Sequence, residues 1–138
     1  MTDSAQSPNN NNDCAVYTDS TTQRWSLKKN GGLYNYQANN VNLSDANIKK
    51  NIVPSKNYLE ILTQIPVVTF LFNDQTDSDL NLGVTAQSVQ AVAPELVTKW
   101  GNNLGIYETD LKYAMLKAIQ ELSVQITTLQ SQLNALGK

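Results

Sequence analysis

Six residues near the C-terminus, Ile119, Leu122, Ile126, Leu129, Leu133 and Leu136, follow one another at spacings of 3, 4, 3, 4 and 3. Side chains at that spacing fall on one stripe of an α-helix, so this end of the chain carries a continuous apolar seam. Ile119, Ile126 and Leu133 take the a positions of a heptad and the other three the d positions, and Gly137 supplies a helix stop. The helical periodicity reaches back to Thr109, which predicts a helix over 109–136. Two uses of the seam are open: it joins copies of the chain in a coiled coil, or it lies along its own domain. A helix this long finds little intramolecular surface in a chain of 138 residues, which favours the coiled coil. Ile at a with Leu at d mildly favours two strands, and the uncharged e and g residues Ser123, Gln125, Gln130 and Gln132 specify little. Taken alone, the seam predicts a dimer.

Composition removes several function classes. Ten basic and 12 acidic residues give a net charge of −2, and the densest basic groups are the pairs Lys28-Lys29 and Lys49-Lys50. That is no footprint for a phosphate backbone, so nucleic acid is not expected as a partner. The longest largely apolar stretch, 65–72, is too short to cross a bilayer, and the N-terminus lacks the pattern of an export signal. No membrane partner is expected either. With no histidine and a single cysteine, Cys14, the chain cannot build a Ser-His-Asp triad, a Cys-His dyad, a histidine zinc site or an internal disulfide. Any hydrolytic chemistry needs a base other than imidazole.

Along the chain, residues 1–13 are polar, with Pro8 and the asparagine run 9–12, and read as a flexible lead-in. Residues 14–43 alternate in short runs: Val16, then Trp25 and Leu27, then Leu33, Tyr34 and Tyr36 beyond an Asn30-Gly31-Gly32 turn. These predict short strands whose packing needs partner chains. The character changes at Ser44. Tyr58, Leu59, Ile61, Leu62 and Ile65 predict a helix with Ser55 as N-cap and Pro66 as its stop. Residues 67–72 and 82–86 predict a hairpin around the polar turn 74–79, followed by a short helix or turn at 88–92 and a strand near 104–107. The expected fold is α+β: a short β-rich stalk remnant, then a small mixed domain with a hairpin and helices, ending in the long coiled-coil helix.

The chemistry-bearing residues are few. Ser44 is followed five residues later by Lys49, and without histidine a Ser-Lys pair is the most plausible hydrolytic arrangement. Lysine acts as a base once burial or a neighbouring cation lowers its proton affinity, and Lys50 is such a neighbour in sequence. The plainer reading makes Ser44 a turn cap beside Asp45, with both lysines in water. Trp25 and Trp100 read as packing aromatics, with sugar stacking as the alternative. Cys14 reads as a small apolar residue, and Asp74, Asp77 and Asp79 as a solvated turn without calcium-loop spacing.

Ser44-Asp45-Ala46-Asn47-Ile48-Lys49-Lys50-Asn51-Ile52 resembles the Ser-Asp-x-Arg-x-Lys-x-Asn-Ile signature that opens the C-terminal intramolecular chaperone domain of bacteriophage tailspikes and tail fibres, the S74 peptidase family. The segment from Leu82 to Gln90, then Pro94-Glu95-Leu96-Val97, Tyr107, Leu111 and Ala118 to Leu122, follow in the family's order, so the resemblance spans 44–138. Asn47 stands where the family usually carries arginine. The resemblance implies a lead-in at 1–13, the end of a β-rich stalk at 14–43 and a chaperone domain at 44–138. It implies a homotrimer, which replaces the dimer. It also implies Ser44 and Lys49 as catalytic residues, scission of the Leu43–Ser44 bond, and release of the chaperone part from a tail fibre or spike precursor in the host cytoplasm. Asp45 and Asn51 are candidates for positioning. A single attack within one chain needs no metal and no cofactor, and the partners are two further copies and the upstream stalk. A permanent trimerisation cap and a receptor-binding fibre tip are the alternatives.

Overall fold

The structure is a computed structural model that describes residues 12–37 and 39–137. Most of the expected lead-in, residues 1–11, lies outside the described residues; Asp13 already opens the first strand. The chain is α+β, with small antiparallel hairpins and a long C-terminal helix. It divides into two units, one of Met1–Lys50 with Phe70–Asn81, the other of Asn51–Thr69 with Leu82–Lys138.

In the first unit β1 (Asp13–Asp19), β2 (Thr22–Lys28) and β3 (Leu33–Asn35) form an antiparallel meander. Both turns use a positive φ, at Ser20 (+54°) between β1 and β2 and at Gly31 (+88°), where glycine meets no steric cost, between β2 and β3. Asn30 Oδ1 accepts from Gly32 N–H at 3.0 Å and ties the second turn. The register sets Tyr17, Trp25 and Asn35 in one row across the sheet and Val16, Ser26 and Tyr34 in the next. Successive rows point to opposite faces, and exposed large side chains stand on both. Only Ser26 is buried in this sheet among the described residues.

β4 (Val68–Phe70) and β5 (Asn81–Gly83) form a second, shorter hairpin than 67–72 and 82–86 predict. Two side chains shorten it. Thr85 leaves the strand to cap the next helix, accepting from Ser88 N–H at 3.2 Å. Gln75 accepts from Phe72 N–H at 3.2 Å and from Asn81 Nδ2 at 2.9 Å, while its own Nε2 donates to Asp77 Oδ1 and to the Asp79 carbonyl, each at 2.7 Å. The turn at 74–79 is therefore ordered by a glutamine amide. Among the described residues no group of acidic, His or Cys side chains is arranged to hold a metal ion.

The second unit packs α1 (Leu59–Leu62), α2 (Ala86–Val92), the 3-10 turn Pro94–Leu96 and the hairpin β6 (Val97–Trp100)–β7 (Asn103–Ile106) against the start of α3 (Glu108–Leu136). Its core is Val89, Ala93, Leu96 and Ala114, with Tyr58, Ile61, Leu62 and Ile65 packed around it. α1 is a single turn rather than the helix predicted from Ser55 to Ile65. The apolar spacing places Tyr58, Ile61, Leu62 and Ile65 on the core as expected, but Ser55 is no N-cap: its hydroxyl donates to the Lys56 carbonyl at 3.0 Å. The cap comes from α3, where Glu121 Oε2 accepts from Tyr58 N–H at 2.8 Å and from Leu59 N–H at 3.1 Å. β6 was not legible as a strand. Gly101, at φ +59°, makes the tight turn that pairs it with β7.

Tyr58 also donates its hydroxyl to Glu95 Oε1 at 2.8 Å, and Lys56 Nζ lies 2.5 Å from the same oxygen. Burial first, then the bond to Glu95, pushes the Tyr58 hydroxyl up to about 12. The lysine hydrogen bond holds the Glu95 carboxyl below its ordinary value.

Two predictions follow from this packing. Glu121→Ala removes the one acceptor of both hydrogen bonds at the N-terminus of α1 and lowers the stability of the fold by about 1–2 kcal/mol, read as a urea midpoint at fixed protein concentration, while Glu121→Gln loses less. A group whose folded pKa is raised stabilises below its unfolded value and loses that contribution as pH climbs through the folded one. The Tyr58 contribution is thus present below pH 10.0 and disappears toward about 12. Parent and Tyr58→Phe stability curves should converge over that window; parallel curves would deny the bond this role.

Candidate functional site

The site is built on one short turn in the first unit. Asp45 begins a 3-10 turn, Ala46–Ile48: its Oδ1 accepts from Asn47 N–H at 2.8 Å and its carbonyl from Ile48 N–H at 3.3 Å. Aspartate suits this position because a short side-chain acceptor satisfies an amide that the turn leaves unpaired. Lys49 N–H then donates to the Ala46 carbonyl at 3.1 Å and closes the turn. The reversal folds the chain back on itself across five residues, and Lys49 Nζ lies 2.6 Å from Ser44 Oγ. That is hydrogen-bond contact, the separation a proton transfer between the two atoms requires.

The surroundings are open. Every residue from 41 to 50 is exposed, including the aliphatic Val41 (90%), Leu43 (80%) and Ile48 (62%). Asn47 contributes its backbone to the cap, and an arginine there would project from the same exposed turn. Asn51, the other candidate for positioning, adopts a left-handed φ of +55° and belongs to the second unit. The amide groups of Asn47, Ile48 and Lys49 are consumed by the turn, which leaves those of Asp45 and Ala46 as the candidate donors to a developing oxyanion.

The seam residues form a separate candidate surface on α3. The helix divides its faces cleanly. Leu111, Ala114, Ala118 and Glu121 turn toward their own unit, whereas Ile119, Leu122, Ile126, Leu129, Leu133 and Leu136 are 44–85% exposed. Met115, 52% exposed, stands four residues before Ile119 and lengthens the stripe by half a heptad beyond the sequence reading.

Other candidates stand apart from this chemistry. Cys14 is an exposed free thiol on β1, Trp100 is 80% exposed beside the β6–β7 turn, and Trp25 is half-exposed on β2. Two groupings carried no signal in the sequence. The Lys56–Glu95–Tyr58 cluster joins residues nearly 40 positions apart, and the Arg24 guanidinium stacks 4.8 Å from the centre of the Tyr36 ring. No described helix is long and apolar enough to cross a membrane.

Residues 44–98 match the Peptidase S74 family, described as the chaperone of endosialidase. The match supports the resemblance of this part of the chain to the C-terminal intramolecular chaperone domains. The match opens on Ser44, contains the whole Ser44–Lys49 turn and ends in β6; the landmarks at Tyr107, Leu111 and 118–122 lie beyond it. No curated protein matches the chain.

Proposed function

We propose that the chain is a self-cleaving intramolecular chaperone that brings three copies of a phage tail fibre or spike together and then cuts itself from the stalk at Leu43–Ser44. The observation that carries this reading is the 2.6 Å contact between Ser44 Oγ and Lys49 Nζ at the first residues of the family match.

In the reaction, Ser44 Oγ attacks the carbonyl carbon of Leu43, which precedes it in the chain. The new C–O bond closes a five-membered ring through the Ser44 backbone. Lys49 accepts the hydroxyl proton and returns it to the Ser44 nitrogen as the C–N bond breaks, leaving an ester. Water then attacks the ester and frees a Leu43 carboxylate and a Ser44 hydroxyl with its own amino group. The Asp45 and Ala46 amides are the donors within reach of the oxyanion along the chain.

Lysine serves as the base only with its lone pair free, a state favoured by loss of water or by a nearby cation. Here the pair lies on an exposed turn flanked by Val41, Leu43 and Ile48, three aliphatic side chains that gain by being covered. A neighbouring copy laid over this turn would bury those side chains and dehydrate Lys49 together. Scission would then follow assembly instead of preceding it.

Trimerisation rests on the division of α3. The seam residues are exposed and lie outside the core of their own unit, which supports the coiled-coil reading over a helix lying along its own domain. Dimer and trimer are both compatible with the seam, and the family favours three.

Two experiments test the proposal. Intact mass spectrometry of the purified chain after hours of incubation should find fragments ending at Leu43 and beginning at Ser44. Ser44→Ala and Lys49→Ala should each stay whole; a parent that also stays whole points to a permanent cap. Light scattering on Ser44→Ala should give three protomer masses. Ile126→Asp, a charge in the middle of the seam, should shift that toward one, while an assembly unmoved by it would remove α3 from the interface.

A further inference from the structure

We infer that the β6–β7 hairpin of one copy docks into a pocket on the second unit of the next copy, with Trp100 as the inserted side chain. The inference rests on the three-copy reading above and adds to it a contact that the α3 seam does not supply. The lining of the pocket includes Tyr58, Glu95, Leu96, Asp110, Tyr113 and Ala114, and its volume of about 310 Å³ suits one large side chain. Leu96 and Ala114 are buried and give it an apolar floor, Tyr113, 61% exposed, adds an aromatic wall, and Glu95 and Asp110 add negative charge. The same residues already hold one cation of their own chain: Lys56 Nζ lies 2.5 Å from Glu95 and 5.2 Å from the centre of the Tyr58 ring. Glu95 is engaged there and by the Tyr58 hydroxyl, which leaves Asp110 as the carboxylate of the pocket with no hydrogen bond or ion pair among the described residues.

An occupant of this pocket needs an apolar body, a hydrogen-bond donor and a positive charge, and the tip of β6–β7 carries all three. Trp100 ends β6 beside the Gly101 turn, is 80% exposed, and its indole N–H has no acceptor among the described residues. Lys99 is also exposed and has no ion pair among them. It leaves the opposite side of the strand, and its flexible four-carbon stem carries the ammonium round to the same neighbour. In the docked contact the indole covers Leu96 and Ala114, while its N–H and the Lys99 ammonium share the two oxygens of Asp110. Tip and pocket are unlike surfaces, so the contact runs head to tail, and repeated about an axis it closes a ring of three copies. Asp110, Tyr113 and Ala114 stand outside the a and d positions of α3, so seam and ring form together.

The test uses the full chain carrying Ser44→Ala, which keeps it whole. Light scattering on dilution gives the concentration at which the assembly comes apart. Lys99→Glu and Asp110→Lys should each raise that concentration about tenfold, and the two together should bring it back to within about threefold of the parent. For placement, Trp100→Cys and Tyr113→Cys are combined in a Cys14→Ser background, which removes the one native thiol. A short bis-maleimide should then join the chains into covalent trimers, which neither single-cysteine variant can form because one thiol per chain stops at a pair. A chain that scatters as one protomer at every concentration removes the three-copy reading and this contact with it. An assembly of three that lacks either the covalent trimers or the charge recovery overturns the contact alone.

Discussion

α3 turns its small residues inward and its large ones outward, and most of the structure follows from that. Ala114 and Ala118 are the buried members of the helix, while Met115, Ile119 and Leu122, interleaved with them, remain exposed. Alanine lets the helix approach α1 and the 3-10 turn closely, so the second unit closes a core around Val89, Ala93 and Leu96. Burial of those few side chains leaves little margin over the entropy of ordering the chain, and the large aliphatics that could widen it face outward. A helix so divided leaves a continuous apolar stripe outside its own unit.

The second half of α3 has no charged residue from Ser123 to Gly137. The Thr127, Thr128 and Ser131 hydroxyls bond back to carbonyls four residues earlier, all at 3.0 Å. Charges are thus absent at this end to set register between helices, a task that e and g ion pairs perform in many coiled coils. Orientation must instead come from the first half, which is locked to its own unit by Leu111, Ala114, Ala118 and the Glu121 bonds to Tyr58 and Leu59. Helices that each leave a globular unit in the same sense favour a parallel arrangement. In the proposed trimer, symmetry is then set by the domain, and the seam supplies adhesion.

What the sequence made legible was whatever repeats or sits close in the chain. The 3.5-residue period found α3 to within a residue at its start, and the spacing of Tyr58, Ile61, Leu62 and Ile65 found the side of α1 that meets the core. The same period overstated the length of α1, because apolar spacing is shared by a helix and by the irregular turns around a single helical turn. Its true cap, Glu121, lies more than 60 residues away, and no local signal announces a carboxylate that will reach across the fold. β6 was missed for a related reason: Val97-Thr98-Lys99-Trp100 becomes a strand only by pairing through the Gly101 turn. In the candidate site, the Ser44 and Lys49 spacing named two residues, but their contact depends on the Asp45-capped turn between them. Asn51 shares that stretch of sequence, yet falls in the other unit.

The two sides of the Leu43–Ser44 bond differ in what can hold them together. The β1–β3 sheet has no core of its own among the described residues and exposes aromatic and aliphatic side chains on both faces; on the proposed function it is completed by packing between chains. Such contacts would be non-local and slow to nucleate, because in the proposed trimer three separate ends must be held in register before any burial rewards them. The helical side pays that cost first: its contacts within each protomer form locally, and its seam raises the effective concentration of the attached stalk ends. Once the sheets are packed, the tether contributes nothing further to the packed state itself. On the proposed function, cutting it changes the problem from equilibrium to rate: separated stalk chains would have no means of realigning, so the assembled fibre endures for as long as its unfolding barrier lasts.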